Sequence, residues 1–114
     1  MANAFKSETD TAIGTSPATL YTCPASTETT VIGLTCANIA TSQIEIDVQL
    51  DASGRTSGAE DSVYIIKSAP IPVGSSLVVV GGEQKIVLEP GDAIKVTSNT
   101  AASADAAMSV LEIS

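Results

Sequence analysis

The sequence predicts an all-β chain: a single-domain antiparallel β-sandwich, jelly-roll or immunoglobulin-like, with about eight strands and an N-terminal arm. Ile44–Asp51 alternates strictly between apolar and acidic or amide residues, as a strand with one buried and one wet face does. Two aliphatic runs, Leu77–Val80 and Lys85–Leu88, flank Gly81-Gly82, a pattern that predicts a β-hairpin. The composition is 44% hydrophobic but only 3% aromatic, so the core must consist of aliphatic residues that suit pleated sheets.

The first 17 residues are small and polar and show no periodicity, which predicts an arm (1–17) in front of a sandwich domain (18–114). The only phenylalanine, Phe5, lies in this arm. Since a large apolar ring is costly to leave in water, two interpretations stay open. The arm folds back on its own domain, or Phe5 docks in a neighbouring copy.

The remaining strands follow at the spacing typical of a sandwich or barrel. In order, the segments predicted as strands or extended chain are 18–23, 29–38, 44–51, 62–67, 69–72, 77–80, 85–88, 93–98 and 106–113. Within 29–38, Ile32, Leu34 and Cys36 are expected on one face, and Gly33 marks a bend. The prolines of 69–72 place it at a sheet edge or crossover. The last strand is apolar on both faces, so it is either central in its sheet or covered by another subunit.

Two connections have their own signals. Residues 51–61 are rich in small polar residues and predict a flexible surface loop. Glu89-Pro90-Gly91-Asp92 has proline and then glycine at its centre, which is the signature of a type II turn.

The predicted hairpin has one all-aliphatic face, with Leu77, Val79, Ile86 and Leu88, and one half-aliphatic face, with Val78, Val80 and Val87 beside Glu83 and Lys85. An uncovered second face would form an apolar patch, which monomers seldom tolerate, so we expect self-association or docking. The alternative is that the second sheet or the 51–61 loop covers it. The predicted interface consists of Phe5, Val78, Val80, Val87, Met108 and Val110.

No catalytic, metal or cofactor chemistry is predicted. The chain has no histidine, which removes the usual Ser–His and Cys–His pairs. Cys23 and Cys36 form no metal set; they are two buried thiols or, alternatively, a disulfide between adjacent strands. Asp51 with Glu60 and Asp61 could bind Ca²⁺ weakly, but the EF-hand spacing is absent. We therefore expect a protein that is not an enzyme and takes no cofactor.

The formal net charge is −8, from 13 acidic and 5 basic residues. Nucleic acids and anionic membrane surfaces call for a basic footprint, so neither is an expected partner. No apolar stretch approaches the length needed to span a bilayer.

Three stretches together resemble small virion structural proteins of tailed marine phages, especially cyanophages: the start Met-Ala-Asn-Ala-Phe-Lys, residues 69–82 and residues 86–98. The resemblance implies a non-enzymatic β-sandwich present in many copies, assembled in the host cytoplasm and located in the virion. Its first implied role is capsid decoration or cement, as a trimer on the head, with other copies of itself and the major capsid protein as partners. The alternative is a neck, tail or fibre component, including a host-surface binding module.

Overall fold

The computed structural model describes residues 3–114, so Met1 and Ala2 of the predicted arm lie outside the described residues. The described chain contains strands, turns and loops, and no helix. The nine strands are β1 (Asn3–Ile13), β2 (Ala18–Thr22), β3 (Glu28–Asn38), β4 (Ile44–Asp51), β5 (Val63–Ile71), β6 (Ser76–Val80), β7 (Ile86–Leu88), β8 (Ala93–Ser98) and β9 (Ala104–Ile113). They form two antiparallel sheets packed face to face, which confirms the predicted antiparallel β-sandwich.

The strand order distinguishes the two predicted kinds of sandwich. One sheet has the order β1-β9-β3, with β6 and β7 both paired to the free edge of β3, and the other has the order β2-β8-β4-β5. If β6 and β7 count as one interrupted strand, there are eight strands, and apart from the β4–β5 pair consecutive strands lie in opposite sheets, which is the arrangement of a jelly roll. The fold is therefore a jelly roll rather than an immunoglobulin-like sandwich.

The core lies between the two sheets and is aliphatic, as the composition predicts. The alternation in β4 places Ile44, Ile46 and Val48 in it with no exposed surface. Opposite them, the five-stranded sheet contributes Val31, Leu34, Val80, Leu88, Met108 and Val110, which are at most 1% exposed. Burial of these side chains, at about 25 cal/mol per Å² of apolar surface, is the main force that holds the sheets together.

The predicted arm is instead a strand. Asn3–Asp10 pairs residue by residue with Ile113–Ala106 of β9, and after a bulge Ile13 reaches the core. The boundary between residues 1–17 and 18–114 is therefore wrong, because β1 belongs to the five-stranded sheet. Residues 3–13 show no periodic pattern because β1 is an edge strand, and the second sheet covers little of its surface.

The predicted hairpin is also wrong, although both of its strands exist. β6 pairs with residues 34–37 of β3, and β7 pairs with residues 29–31 of the same strand. The two segments thus run in one direction along β3. The glycines form a turn closed by Gln84 N and Gly81 O (3.2 Å), with Gly82 at φ 61°. This turn makes a loop at the sheet edge instead of reversing the chain.

Most of the other local predictions hold. Residues 52–62 form a loop, and β5 lies at a sheet edge, where Pro70 removes no ladder hydrogen bond from a central strand. Asp92 N donates to Glu89 O (2.9 Å) with Gly91 at φ 93°, as a type II turn requires. The last strand is central, between β1 and β3.

Candidate functional site

The two outer faces of the sandwich differ in charge. The four-stranded sheet exposes a polar face, on which Lys67 Nζ lies 3.1 Å from Asp47 Oδ2 and Lys95 Nζ lies 2.8 Å from Asp51 Oδ2. Lys67 also stacks 4.6 Å above the ring of Tyr64. These charged groups hold water strongly, so this face suits solvent rather than a dry contact.

The outer face of the five-stranded sheet is built from rows of residues that pair directly across the strands. Paired residues share a face, so the register gives each row without ambiguity. The first row contains Phe5, Leu111, Thr30 and Val87, one residue from each of β1, β9, β3 and β7. Phe5 is 78% exposed and Val87 is 63% exposed. This row, which we call the bulky row, presents large apolar groups to the outside.

The next two rows are made of smaller residues. Ser7, Ser109 and Gly33 pair across β1, β9 and β3, and we call them the middle row. Beyond it, Thr9, Ala107, Thr35 and Val78 form the small row.

Few charges lie on this face. Among the residues that the pairings place there, only Glu28 and Asp105 are charged. Asp105 Oδ1 is already occupied, since it accepts hydrogen bonds from Thr11 Oγ1 (2.6 Å) and Ala12 N (3.1 Å). An acidic chain thus has one sheet face that is almost free of charge, and we call this the neutral face.

An open groove of about 460 Å³ crosses the neutral face at the small row. Its lining includes Thr9, Thr35, Ala37 and Ala107, with Asp105 at one end. The residues under the groove are mostly small, since alanine and threonine side chains form much of its lining. A second groove of about 260 Å³ lies next to Phe5 and Ile32.

The predicted interface divides into two groups. Phe5, Val78 and Val87 are exposed and lie on the neutral face. Val80, Met108 and Val110 are buried in the core, so their assignment to the interface is wrong.

Two local causes account for these errors. In β6, Val78 pairs with Thr35 and Val80 pairs with Leu34, so Val79 is the extra residue of a bulge that turns Val80 inward. In β9, both faces are apolar, and the core takes the face with Met108 and Val110. Leu111 and Ile113 lie on the outer side.

The predicted face of residues 29–38 also needs one correction. A bulge between Val31 and Gly33 moves Ile32 away from the core face that Leu34 and Cys36 occupy.

The sequence prediction missed Leu111, Ala107 and Thr9 as members of the exposed face. The available signal was that both faces of β9 carry apolar residues. This pattern shows that both faces are covered by apolar surface, but it does not tell which face belongs to the core. Thr9 gave no signal, because its role depends on β1 pairing with β9.

The remaining candidate groups are occupied or buried. Cys23 and Cys36 are free thiols, 2% and 0% exposed, so the buried-thiol interpretation is confirmed over the disulfide. Asp51, considered for Ca²⁺, accepts from Ser53, Ser62 and Lys95, which hold its pKa below its usual range, Lys95 most strongly.

Two features are absent from residues 3–114. No group of three or more histidine, cysteine or acidic side chains there is placed to hold a metal ion. Over the same range, no helix has the length and apolar character needed to cross a membrane.

The sheet edges carry features that hinder pairing with another chain. β5 has Pro70 and Lys67, and the edge of β3 is covered by two segments interrupted at residues 81–85. β2 is short and bulged, whereas β1 is regular from Asn3 to Asp10 and is bulged only between Asp10 and Ile13. Three of the four edges thus oppose edge-to-edge pairing, and the neutral face offers the broader surface for a contact.

The molecule thus belongs to the class of jelly-roll sandwiches with one neutral outer face. No protein family and no curated protein matches the sequence. Among solved structures, the chain is similar to one from the Bacillus endospore appendages, described as a novel family of disulfide-linked pili. The two share 15% identity and a TM-score of 0.54, over 99% of this chain and 87% of the other. At this identity the likeness shows the fold alone.

Proposed function

We propose that this protein is a non-enzymatic structural subunit that works in many copies and associates through its neutral face. The observation that carries the proposal is the contrast between a net charge of −8 and a sheet face with two acidic residues and no base among its paired positions. Exposed Phe5, Val78 and Val87 on that face add apolar surface that gains free energy when it is covered.

The charge distribution favours this face for self-association. Two copies with eight negative charges each repel one another, and the repulsion is weakest where the charges are farthest from the contact. The neutral face meets this condition, whereas the face with Asp47 and Asp51 does not. Added salt should strengthen the association, because it screens the repulsion without weakening apolar contacts.

We propose further that the copies assemble on a virion, where the chain decorates or cements a phage head. The support is the resemblance of residues 69–82 and 86–98 to virion proteins, together with a compact sandwich that has an acidic exterior. A neck, tail or fibre component is the alternative. Mass spectrometry of purified particles separates the two, since hundreds of copies indicate decoration and a handful indicate a tail or fibre.

The assembly we propose is non-covalent. The similar solved structure comes from disulfide-linked pili, but both cysteines of this chain are buried inside the sandwich. The absence of histidine from the sequence supports a non-enzymatic role, because the commonest acid–base and nucleophile-activating group is not available.

Sedimentation velocity over a hundredfold range of concentration tests the proposal. We expect the wild-type chain to associate and Val78→Asp to remain monomeric, because the substitution places an additional charge on the neutral face. Gln49→Asp on the polar outer face adds the same charge and should leave association unchanged. A wild-type chain that stays monomeric at every concentration, with and without added salt, would refute self-association.

A further inference from the structure

We infer that the partner on the neutral face is a second copy of this chain, held by a two-fold axis that lies along the middle row Ser7–Ser109–Gly33. This inference rests on the proposed function and specifies its contact. In an isologous pair, the two-fold rotation decides which residue of one copy lies opposite which residue of the other. An axis parallel to the rows therefore lays the bulky row of one copy over the small row of the other.

The positions of the rows fit this operation. On β1, Phe5 and Thr9 are each two residues from Ser7, and on β9, Leu111 and Ala107 are each two residues from Ser109. Alternate residues of a strand point to the same face, so all of these side chains face outward. The middle row is therefore equidistant from the bulky row and the small row on both strands.

The rows are complementary in size when they are exchanged. Phe5 meets Thr9 at the groove, and Leu111 meets Ala107, so large side chains lie over small ones. Val87 meets Val78, which pairs two exposed apolar side chains at the other edge. The groove of about 460 Å³ has room for a phenyl ring. Serine and glycine on the axis permit the two sheets to come close.

The two charged residues of the face do not lie directly over one another under this operation. The axis places Glu28 opposite Ala37, because both lie on β3 at matching distances from the middle row. It places Asp105 opposite Ile113, its counterpart on β9. No carboxylate therefore lies directly opposite another, and Glu28 of one copy lies one strand away from Asp105 of the other.

A two-fold axis parallel to the strands gives a poorer contact. It would exchange β1 with β6 and β7 and keep each row facing itself. Phe5 would then meet Val87 while Thr9 met Val78, so the bulky rows would collide and the grooves would stay empty. The unequal heights of the rows thus select the axis along the middle row.

The area is sufficient for a stable contact. Four strand positions at about 4.8 Å and ten residues at about 3.4 Å give a face of about 19 by 34 Å, or about 650 Å². Two such faces bury about 1,300 Å², which lies within the range of specific protein–protein interfaces.

Two substitutions, made in the full-length chain, test the complementarity from both sides. Phe5→Ser removes the ring and Ala107→Leu fills the groove, so each should weaken association at least tenfold in sedimentation velocity. Tyr64→Ser removes an exposed ring from the four-stranded sheet and should leave association unchanged. Urea denaturation of each variant shows that it is folded.

A cross-linking experiment tests the position of the axis. Because Ser109 lies on the axis, Ser109→Cys places the new thiols of the two copies next to each other. A short thiol-specific bismaleimide should therefore convert this variant to a covalent dimer. Thr97→Cys, on the central strand β8 of the other sheet, and the wild-type chain with its buried thiols should not be converted.

The outcomes separate this inference from the proposed function. A wild-type chain that is always monomeric refutes both. A chain that associates while Phe5→Ser and Ala107→Leu have no effect, or while Ser109→Cys does not cross-link, supports self-association and overturns this axis. A closed trimer also overturns it, since a two-fold contact cannot close a ring of three.

Discussion

Arg55 and Asp92 are joined by two parallel hydrogen bonds, Nε to Oδ1 at 2.9 Å and Nη2 to Oδ2 at 2.8 Å, across 37 residues of sequence. The Asp92 side chain is fully buried, and its Oδ2 also accepts from Glu89 N (3.0 Å). This ion pair ties the loop between β4 and β5 to the type II turn before β8. It therefore closes one end of the sandwich.

Arg55→Met should lower the urea midpoint of unfolding well below that of the wild type. The substitution leaves the carboxylate of Asp92 buried without its cation, and an uncompensated buried charge is strongly destabilising. Lys67→Met is the matched control, because it removes the cation from Asp47 in an exposed pair. Equal midpoints for the two variants would contradict the structural role assigned to Arg55.

Gly91→Ala should destabilise the same end of the molecule by more than about 1 kcal/mol. A Cβ at Gly91 would lie 2.0 Å from the backbone oxygen of Gly54, and φ is 93°. Gly74→Ala separates the two causes, since Gly74 has φ 75° but no atom within 4 Å of an added Cβ. Urea denaturation should rank Gly91→Ala as the more damaging variant. The reverse order would mean that the loop and the turn are not in contact.

The sequence predicted the sandwich because its strongest patterns are local. The alternation of Ile44–Asp51 and the type II turn at 89–92 each depend on a few neighbouring residues, and both appear in the structure. The hairpin at Gly81-Gly82 was equally local but wrong. Both segments that flank the glycines pair with the long strand β3 instead of with each other. Nothing in the sequence near the glycines reveals that β3 competes for this pairing.

The neutral face was only partly predictable, because its identity depends on bulges and on which side of a strand meets the core. One extra residue at Val79 reverses the face of Val80. The choice between Met108 and Leu111 as the core residue of β9 depends on the opposite sheet. Phe5 was recognised from composition alone, whereas its partner Leu111 became visible only when β1 paired with β9.

Met108 and Val87 provide a stability test of the corrected face assignment. Met108→Ala should cost about 2–5 kcal/mol, because it opens a cavity at a fully buried position. Val87→Ala should change the stability by about 0.5 kcal/mol or less, since its side chain is exposed. Both values come from urea denaturation of the monomer at low concentration. A small effect of Met108→Ala would contradict the placement of Met108 in the core.

Glu112 should make the stability depend on pH. It lies in the interior beside Tyr21 and Lys6, and the hydrogen bond from the Tyr21 hydroxyl (2.5 Å), followed by that from Lys6, lowers its pKa. A carboxyl whose pKa is lower in the folded state stabilises above its unfolded value, about 4.3, and loses that contribution as the pH falls through the folded value.

The stability difference between the wild type and Glu112→Gln isolates this group. We expect the difference to favour the wild type at pH 7 and to shrink steadily as the pH is lowered below about 4.3, the ordinary value for glutamate. Urea midpoints measured between neutral and acid pH provide the comparison. A difference that is constant with pH would mean that Glu112 is not ionised against Tyr21 and Lys6 in the folded chain.

Cys23 and Cys36 should resist alkylation in the native protein. Burial raises the pKa of both thiols, that of Cys36 to about 11, so little thiolate forms at neutral pH and little reagent reaches it. Mass spectrometry after iodoacetamide treatment should find both thiols unmodified in the native chain and both modified in urea. A Thr97→Cys variant treated alongside should react at its new thiol outside the neutral face, which shows that the reagent is active. Rapid modification of either native cysteine, or a loss of association on adding a reducing agent, would contradict the non-covalent assembly proposed for this chain.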